Sequence, residues 1–205
     1  VGASIKHQLK NGYWNMAISR NAFNNQLEKY ENNLGPNRGT RTLLLNSSET
    51  ENKFRFDVNQ NYSGLKLSYG IVAQLVSFSN NTNQLISNAV VDNNNNIIQP
   101  AVINNFNSKI NFARLGAFTQ IGKRFLDNKL GISAGLRFDQ NTFTQTGMNP
   151  LKTLSPRISA SYVIAEKITF NASVGTYFKM LPYTALGYRN NNNELVNKNT
   201  DYTQS

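Results

Sequence analysis

The residues that could do chemistry in this sequence are few and widely separated. His7 is the only histidine among the 205 residues, and there is no cysteine. A site built from several imidazoles or thiolates is therefore impossible. Asp127 and Asp139 lie at opposite ends of one predicted strand, too far apart to act as a local carboxylate pair. The sequence contains no glycine pattern that would hold phosphate groups. It therefore predicts no catalytic activity, no bound metal and no cofactor.

Five side chains remain as candidates for binding a ligand, because each occupies a gap in a row of apolar residues. Arg137 and Asp139 lie in one such segment, Arg157 in the next, and Asn171 and Tyr177 in the one after that. Guanidinium, carboxylate, amide and phenol groups all form hydrogen bonds with polar ligands. Whether these five side chains can bind a ligand depends on which side of the strands faces water.

The segment KLGISAGLRFD (129–139) shows the alternation most clearly, with an apolar residue at every second position from Leu130. This is the period of a β-strand with two different faces. A soluble sandwich would bury the apolar row, whereas a membrane barrel places it against lipid and the polar row in the lumen. The same pattern recurs along the chain and predicts eight antiparallel strands, of which the first, near Val1 to Leu9, is the weakest.

Composition excludes some classes of protein. The chain has 39% hydrophobic and 16% charged residues and a mean hydropathy of -0.47. No segment approaches the roughly 20 apolar residues of a membrane helix. The first ten residues, VGASIKHQLK, do not resemble a signal peptide. The net charge of +10 comes from scattered Lys and Arg residues with only short clusters such as NRGTR (37–41), which argues against a nucleic-acid partner. Some of these cations are expected to line a lumen and others to face anionic lipopolysaccharide.

The connections between the predicted strands alternate in length. Short turns are predicted at residues 10–12, 61–64, 126–129 and 165–167. Long polar connections, two of them rich in Asn, are predicted at residues 31–52, 80–107, 140–153 and from 181 onward. This arrangement places all the long loops at one end of the strands, as in outer-membrane barrels.

Two further features refine the strand predictions. The apolar row that begins at Ile110 and Phe112 changes phase at Leu115, and a β-bulge near Arg114 is one explanation. Aromatic residues are predicted to form two belts, and the belt at the long-loop ends includes Phe78 and Phe112.

The polar rows favour a membrane barrel over a soluble sandwich, because they contain groups that a dry core tolerates poorly. Ser155, Arg157, Ser159 and Ser161 alternate on one strand, and a water-filled lumen accepts them without a partner for each group. We therefore expect Arg137, Asp139, Arg157, Asn171 and Tyr177 to face the lumen. The residues expected to face lipid are Leu130, Ile132, Ala134, Leu136, Ile158, Ala160, Tyr162, Phe170, Ala172 and Val174. A soluble β-sandwich that binds carbohydrate is the alternative in which the polar face is simply solvated.

The runs GAFTQIGKRFLDNKLGISAGLRFDQNTF and MNPLKTLSPRISASYVIAEKITFNASVGTYFKMLPYTAL resemble the barrel of TonB-dependent outer-membrane receptors. In that family a strand ending in GLRFD, a loop, an LSPR strand and a strand leading to GTYF and PYTAL follow in this order. The resemblance is clearest over residues 116–186. It implies a barrel of about 22 strands with a plugged lumen in the outer membrane of a Gram-negative bacterium. It also implies import of a scarce or bulky ligand, such as a metal chelate, cofactor or oligosaccharide, driven by the TonB system.

The chain also departs from that family. It has about eight strands, no plug domain and no TonB box, and it stops at DYTQS in a polar stretch. Residues 1–205 are therefore expected to be a partial barrel domain from within a larger receptor. The alternative is a small closed eight-stranded barrel with a structural or adhesive role and no transport.

Overall fold

The computed structural model describes residues 1–190, 192–198 and 203–204. Its main element is an antiparallel sheet of eight strands, whose order in the sheet follows their order along the chain. These strands are β1 (Gly2–Leu9), β2 (Gly12–Tyr30), β3 (Arg41–Tyr62), β4 (Leu65–Ser87), β7 (Val102–Phe125), β8 (Leu130–Asn141), β9 (Ser155–Ala165) and β10 (Ile168–Gly175). The connection between β4 and β7 contains a small hairpin formed by β5 (Val90–Val91) and β6 (Ile97–Gln99).

The remaining elements are short. Three 3₁₀ turns lie at Glu31–Asn33, Thr146–Met148 and Pro150–Thr153, and helix α1 spans Tyr183–Leu186. Strand β11 (Phe178–Lys179) pairs with β12 (Thr203–Gln204). No helix in the described ranges has the length and apolarity needed to cross a membrane. Apart from residues 192–198 and 203–204, the part of the predicted final loop that follows residue 190 lies outside the described residues.

The sheet is open. Strand β1 pairs with β2 and β10 pairs with β9, and in the described part of the chain these two outer strands do not pair with each other. The prediction of an all-β, antiparallel up-and-down segment of about eight strands from a larger barrel is confirmed. The alternative of a small closed barrel requires a pairing of β1 with β10 that the sheet does not contain.

Tight turns join the strands at one end, as predicted. The turn between β3 and β4 consists of Ser63 and Gly64, with φ values of 48° and 81°. Two consecutive positive φ angles are typical of a type I′ turn, whose twist matches that of a β-hairpin. Residues 10–11, 126–129 and 166–167 form the other short connections.

Four strands are much longer than the sequence predicted. Strands β2, β3, β4 and β7 have 19, 22, 23 and 24 residues, about twice the 9 to 11 that a bilayer requires. The predicted loops at 31–52 and 80–107 were therefore wrong over residues 41–52, 80–87 and 102–107, which are strand. Their Asn and Ser side chains suggested loops. Backbone hydrogen bonds between strands form whatever the polarity of the side chains, however, and long-range pairing overrides local propensity.

The register assigns every side chain of β8, β9 and β10 to one of two faces. Leu130 pairs with Tyr162 and Ala134 pairs with Ile158, whereas Gly135 pairs with Arg157. We call the face that carries Arg157 the inner face and the face that carries Leu130 the outer face. The ten residues expected to face lipid all lie on the outer face.

The change of phase in β7 has another cause than the predicted bulge. The pairing of β4 with β7 runs without a register shift from Leu65 opposite Lys123 to Leu85 opposite Ile103, so no bulge occurs near Arg114. Ile110 therefore lies on the inner face and Leu115 on the outer face. The apolar residues change faces because the inner face is covered by protein at this end of the sheet.

The covering segment comprises residues 176–187, which we call the strap. Leu186 of the strap is almost fully buried against an apolar cluster on the inner face. Strands β4 and β7 contribute Val76, Phe78, Ile110 and Phe112 to this cluster, and the loop after β8 contributes Phe143. The expectation that Phe78 and Phe112 belong to an aromatic belt was therefore wrong, because both rings are buried inside.

Candidate functional site

A recess of about 530 Å³ separates the strap from the inner face of the sheet, and we call it the wall cavity. It is open on one side. Its lining combines charged residues of four strands with the apolar side of the strap. The lining residues are Glu49, Glu51, Arg114, Arg137, Asp139, Ser155, Arg157, Tyr177, Phe178, Lys179, Met180, Leu181, Pro182 and Tyr183.

Arg137 and Asp139 form a bidentate ion pair on β8. The Arg137 Nε and Nη2 groups donate to Asp139 Oδ2 and Oδ1, each at 2.7 Å. Alternate residues of a strand lie on the same face, so the two side chains extend side by side over β7. Gly116 of β7 leaves room for them, because a Cβ atom there would lie 2.9 Å from Asp139 Oδ1. The glycine therefore permits the pair to lie flat against the wall.

Tyr183 fastens the strap to the wall. Its hydroxyl donates to Glu51 Oε1 at 2.6 Å and accepts from Arg114 Nη1 at 3.5 Å. Its ring packs edge-on against Phe112, with centroids 5.6 Å apart. Burial, and after it the hydrogen bond to Glu51, raise the pKa of the Tyr183 phenol. The phenol therefore stays protonated and keeps donating well above neutral pH.

Arg157 extends over the ring of Tyr177, with its guanidinium carbon 5.1 Å from the ring centroid. Such a cation–π contact holds the side chain in place while leaving its N–H groups able to donate. Within the part of the chain that the structure describes, no carboxylate oxygen lies within 4.0 Å of Arg157. Arg157 therefore differs from Arg137, which is held in an ion pair with Asp139.

The cavity brings together four of the five candidates predicted to bind a ligand. Arg137, Asp139, Arg157 and Tyr177 line it. Asn171 also lies on the inner face, opposite Ser161, but in a separate depression nearer the short turns.

Sequence reasoning missed Glu49, Glu51, Arg114 and Tyr183. The two glutamates were assigned to a loop and Arg114 to a bulge, so none received a face. Extending the alternation of β3 upstream from Phe54 would have placed both glutamates on the inner face. No local signal pairs Tyr183 with Glu51, since 132 residues separate them.

A second ion pair of the same kind lies outside the wall cavity. On β3 the Arg55 Nε donates to Asp57 Oδ1 at 2.9 Å, and Asn59 Nδ2 donates to Asp57 Oδ2 at 3.2 Å. Like Arg137 and Asp139, the two charged residues are separated by one residue along a strand. This pair does not line the cavity, so it provides a matched control for substitutions at the site.

Comparison with known proteins agrees with this architecture. A search of curated proteins found no match. Among solved structures, one described as "Copper transporter OprC" superposes with a TM-score of 0.61 at 12% sequence identity. The superposition covers 90% of this chain and 31% of that chain, so this chain spans about a third of its length. At this identity the likeness concerns the fold. The family model described as "TonB dependent receptor-like, beta-barrel" matches residues 2–203, and the chain therefore belongs to this family of outer-membrane β-barrel receptors.

Proposed function

We propose that the chain forms part of the barrel wall of a receptor that imports a scarce or bulky ligand across the outer membrane. The wall cavity is the observation that carries the proposal, because it collects charged groups from distant strands on the inner face of a barrel wall. A purely structural wall has no need of such a recess. The barrel family supports the TonB system as the energy source, acting through parts of the receptor outside this chain.

The ligand class follows from the groups that line the cavity. Three arginines and Lys179 lie among three carboxylates, and among the described residues Arg157 has no carboxylate within ion-pair distance. Guanidinium groups bind carboxylate and phosphate oxygens in a bidentate manner. We therefore favour a ligand with anionic groups, such as a metal chelate or an anionic cofactor, over a neutral oligosaccharide.

The outer face supports a complementary proposal. Its apolar rows on β8, β9 and β10 place Ile132 beside Ala160 and Ala160 beside Ala172. We assign these rows to lipid, as the alternation of a membrane barrel requires, and we assign the inner rows to the water-filled lumen. We propose no catalytic activity and no nucleic-acid partner.

Uptake by intact cells tests the import proposal. Cells that express the full-length protein are given a labelled ferric chelate, a corrinoid or an oligosaccharide, with and without a protonophore. We expect energy-dependent accumulation of an anionic probe. Removal of a charge-assisted hydrogen bond costs about 1.5 to 3 kcal/mol, so Arg157→Ala and Arg137→Ala should each weaken its binding about tenfold to a hundredfold.

The matched control is Arg55→Ala, which removes the same type of ion pair outside the cavity. It should leave binding within about twofold of the unaltered protein. If the control weakens binding as much as Arg137→Ala, the effect is general to the wall and the cavity is not the site. If no probe accumulates and the variants behave alike, the barrel has a structural or adhesive role.

A further inference from the structure

Strand β7 is much longer than β8, with which it pairs on one side. The pairing of β7 with β4 continues to the start of β7 at Val102, whereas its pairing with β8 stops where Arg114 lies opposite Asn141. After Asn141 the chain turns inward, and Phe143 is buried in the apolar cluster. In the part of the chain that the structure describes, no strand pairs with the β8 side of residues 103–111. We call this stretch the free edge.

The backbone groups of the free edge point toward the unpaired side at every second residue. Just below it, Ala113 donates its N–H to Thr142 Oγ1 and its carbonyl oxygen accepts from Thr142 N, both at 3.0 Å. The backbone groups of Ala113 are therefore directed toward the β8 side, and this direction alternates along an antiparallel strand. The residues that share it are Ile103, Asn105, Asn107, Lys109 and Asn111.

The free edge lies in water and is regular. An open edge does not occur in lipid, because no water reaches its backbone groups there. On the outer face its side chains beyond Ile103 are three amides and the Lys109 ammonium, all exposed, whereas Phe106 and Ile110 on the inner face are buried. Residues 103–111 contain neither the proline nor the bulge that often protects an edge strand. The free edge is therefore ready to pair with another strand.

We propose that the free edge binds an extended peptide, which adds to the sheet as an antiparallel strand beside β7. A peptide of nine residues would cover residues 103–111 and exchange two hydrogen bonds with each residue that faces it. Lys109 is exposed and, in the described ranges, has no carboxylate oxygen within 4.0 Å, so an acidic peptide residue opposite Lys109 is favoured. The free edge shares no residue with the wall cavity, and the proposal does not depend on the import proposal.

A second copy of the receptor in the same membrane does not fit this edge. Two such copies are related by a rotation about the membrane normal, which leaves both β7 strands running in the same direction relative to the membrane. Barrel strands are tilted by about 35–45°, so the two strands would cross at about 70–90°. Adjacent strands of a sheet differ in direction by only about 20–25°. A peptide in solution can align with β7, whereas a second barrel cannot.

Binding of labelled nine-residue peptides to the full-length protein in detergent tests the proposal. The probe TVEVTVTVT places its glutamate opposite Lys109 when the peptide is antiparallel to β7. Methylation of the backbone nitrogens of its third, fifth and seventh residues removes donors that face β7, and should weaken binding at least about tenfold. Methylation of the fourth, sixth and eighth residues removes donors that point away, and should change binding by less than about twofold.

Substitutions in the free edge provide a second measurement. The N–H of Asn107 takes no part in the pairing with β4, so Asn107→Pro should weaken binding about tenfold without breaking the sheet. The control Asn107→Thr keeps the N–H and should bind the probe as the unaltered protein does. Lys109→Glu should weaken binding of TVEVTVTVT about threefold and strengthen binding of TVKVTVTVT to a similar extent.

The two methylated peptides act on the unaltered protein, so the test holds even if Asn107→Pro does not fold. Equal loss of binding with the two methylated peptides, or no binding of either unmethylated peptide, would overturn the proposal. Equal loss with Asn107→Thr and Asn107→Pro would assign the binding to the side chain and would also overturn it. Dimers in detergent that Asn107→Pro dissociates would show that the edge pairs two copies instead.

Discussion

The assignment of the two faces can be tested with the adjacent residues Ala134 and Gly135 of β8. Ala134 lies on the outer face between Ile121 and Ile158, and Gly135 lies on the inner face. Ala134 is the middle of the five apolar positions from Leu130 to Phe138. Each end of this row is about 13 Å away along the strand, or about 10 Å along the membrane normal for the usual tilt of 35–45°. Ala134 therefore lies near the midplane of the apolar band.

The expected penalties follow from this position. An arginine on the lipid face near the midplane costs about 2 to 4 kcal/mol, which shifts the folding equilibrium about 30-fold to 900-fold. Gly135→Arg places the same charge at nearly the same depth in the lumen. There a Cβ atom would lie 3.3 Å from the Thr119 carbonyl oxygen, which is tight but requires only a small adjustment. We expect its penalty to be under about 1 kcal/mol, since lumen substitutions tune selectivity more than stability.

The assay is reversible urea unfolding of the full-length protein in lipid vesicles, compared with the unaltered protein. Ala134→Leu and Gly135→Ala are the controls for added volume and for loss of the glycine, and their effects are subtracted. Equal penalties for the two arginines, or a larger penalty at Gly135, would refute the assignment of the faces.

Three further outcomes are expected. A cysteine that replaces exposed Asn94, in the β5–β6 hairpin, should react with an impermeant thiol reagent on intact cells because loop tips stay solvated. A cysteine that replaces Asn128, in a short turn, should react only after the outer membrane is opened. The reverse pattern of labelling would invert the topology. Because the pKa of Tyr183 is raised, the contribution of Tyr183 to stability should be fully present below about pH 10, the ordinary pKa of tyrosine, and be lost as the pH rises further. The difference in phenolate absorbance between the unaltered protein and Tyr183→Phe should show one tyrosine that ionises after the others. Ionisation of that tyrosine at the ordinary pH would contradict this. Leu186→Ala, at a residue 1% exposed, should lower the free energy that holds the strap on the sheet by about 2 to 5 kcal/mol, which is measured as faster hydrogen exchange in the strap. The control Leu151→Ala, at a residue 78% exposed, should change the exchange little. Equal exchange in both variants would show that Leu186 does not hold the strap.

The sequence alone determined the existence and order of the eight main strands and the faces of the short ones. On β8, β9 and β10 the apolar residues alternate without interruption, and the pleat of a strand turns that period directly into two faces. Leu130 and Arg137 are an odd number of residues apart on β8, so they could be assigned to opposite faces before the pairing was known. The turn at Ser63 and Gly64 was equally local, because glycine adopts the positive φ angle that Gly64 has in this tight hairpin without strain.

The sequence was misleading where side-chain polarity and backbone pairing disagree. Residues 41–52 and 80–87 are rich in polar residues, and for this reason the sequence predicted loops there. The structure pairs them as strands, because each backbone group finds its partner on a neighbouring strand whatever the side chain is. The full length of the sheet therefore became visible only from the pairing of distant segments.

Only the tertiary structure decided where the wall cavity lies. Glu51, Arg114 and Arg137 belong to three strands, and they line one cavity because the strands pair in one register. Tyr183 reaches Glu51 from 132 residues away because the strap folds back over the inner face. The same fold gives Phe78 and Phe112 a buried position, where their sequence context had suggested an exposed belt. Local alternation specifies the face of a side chain, but a site made of several strands requires the register and the chain path, which depend on contacts between residues far apart in sequence.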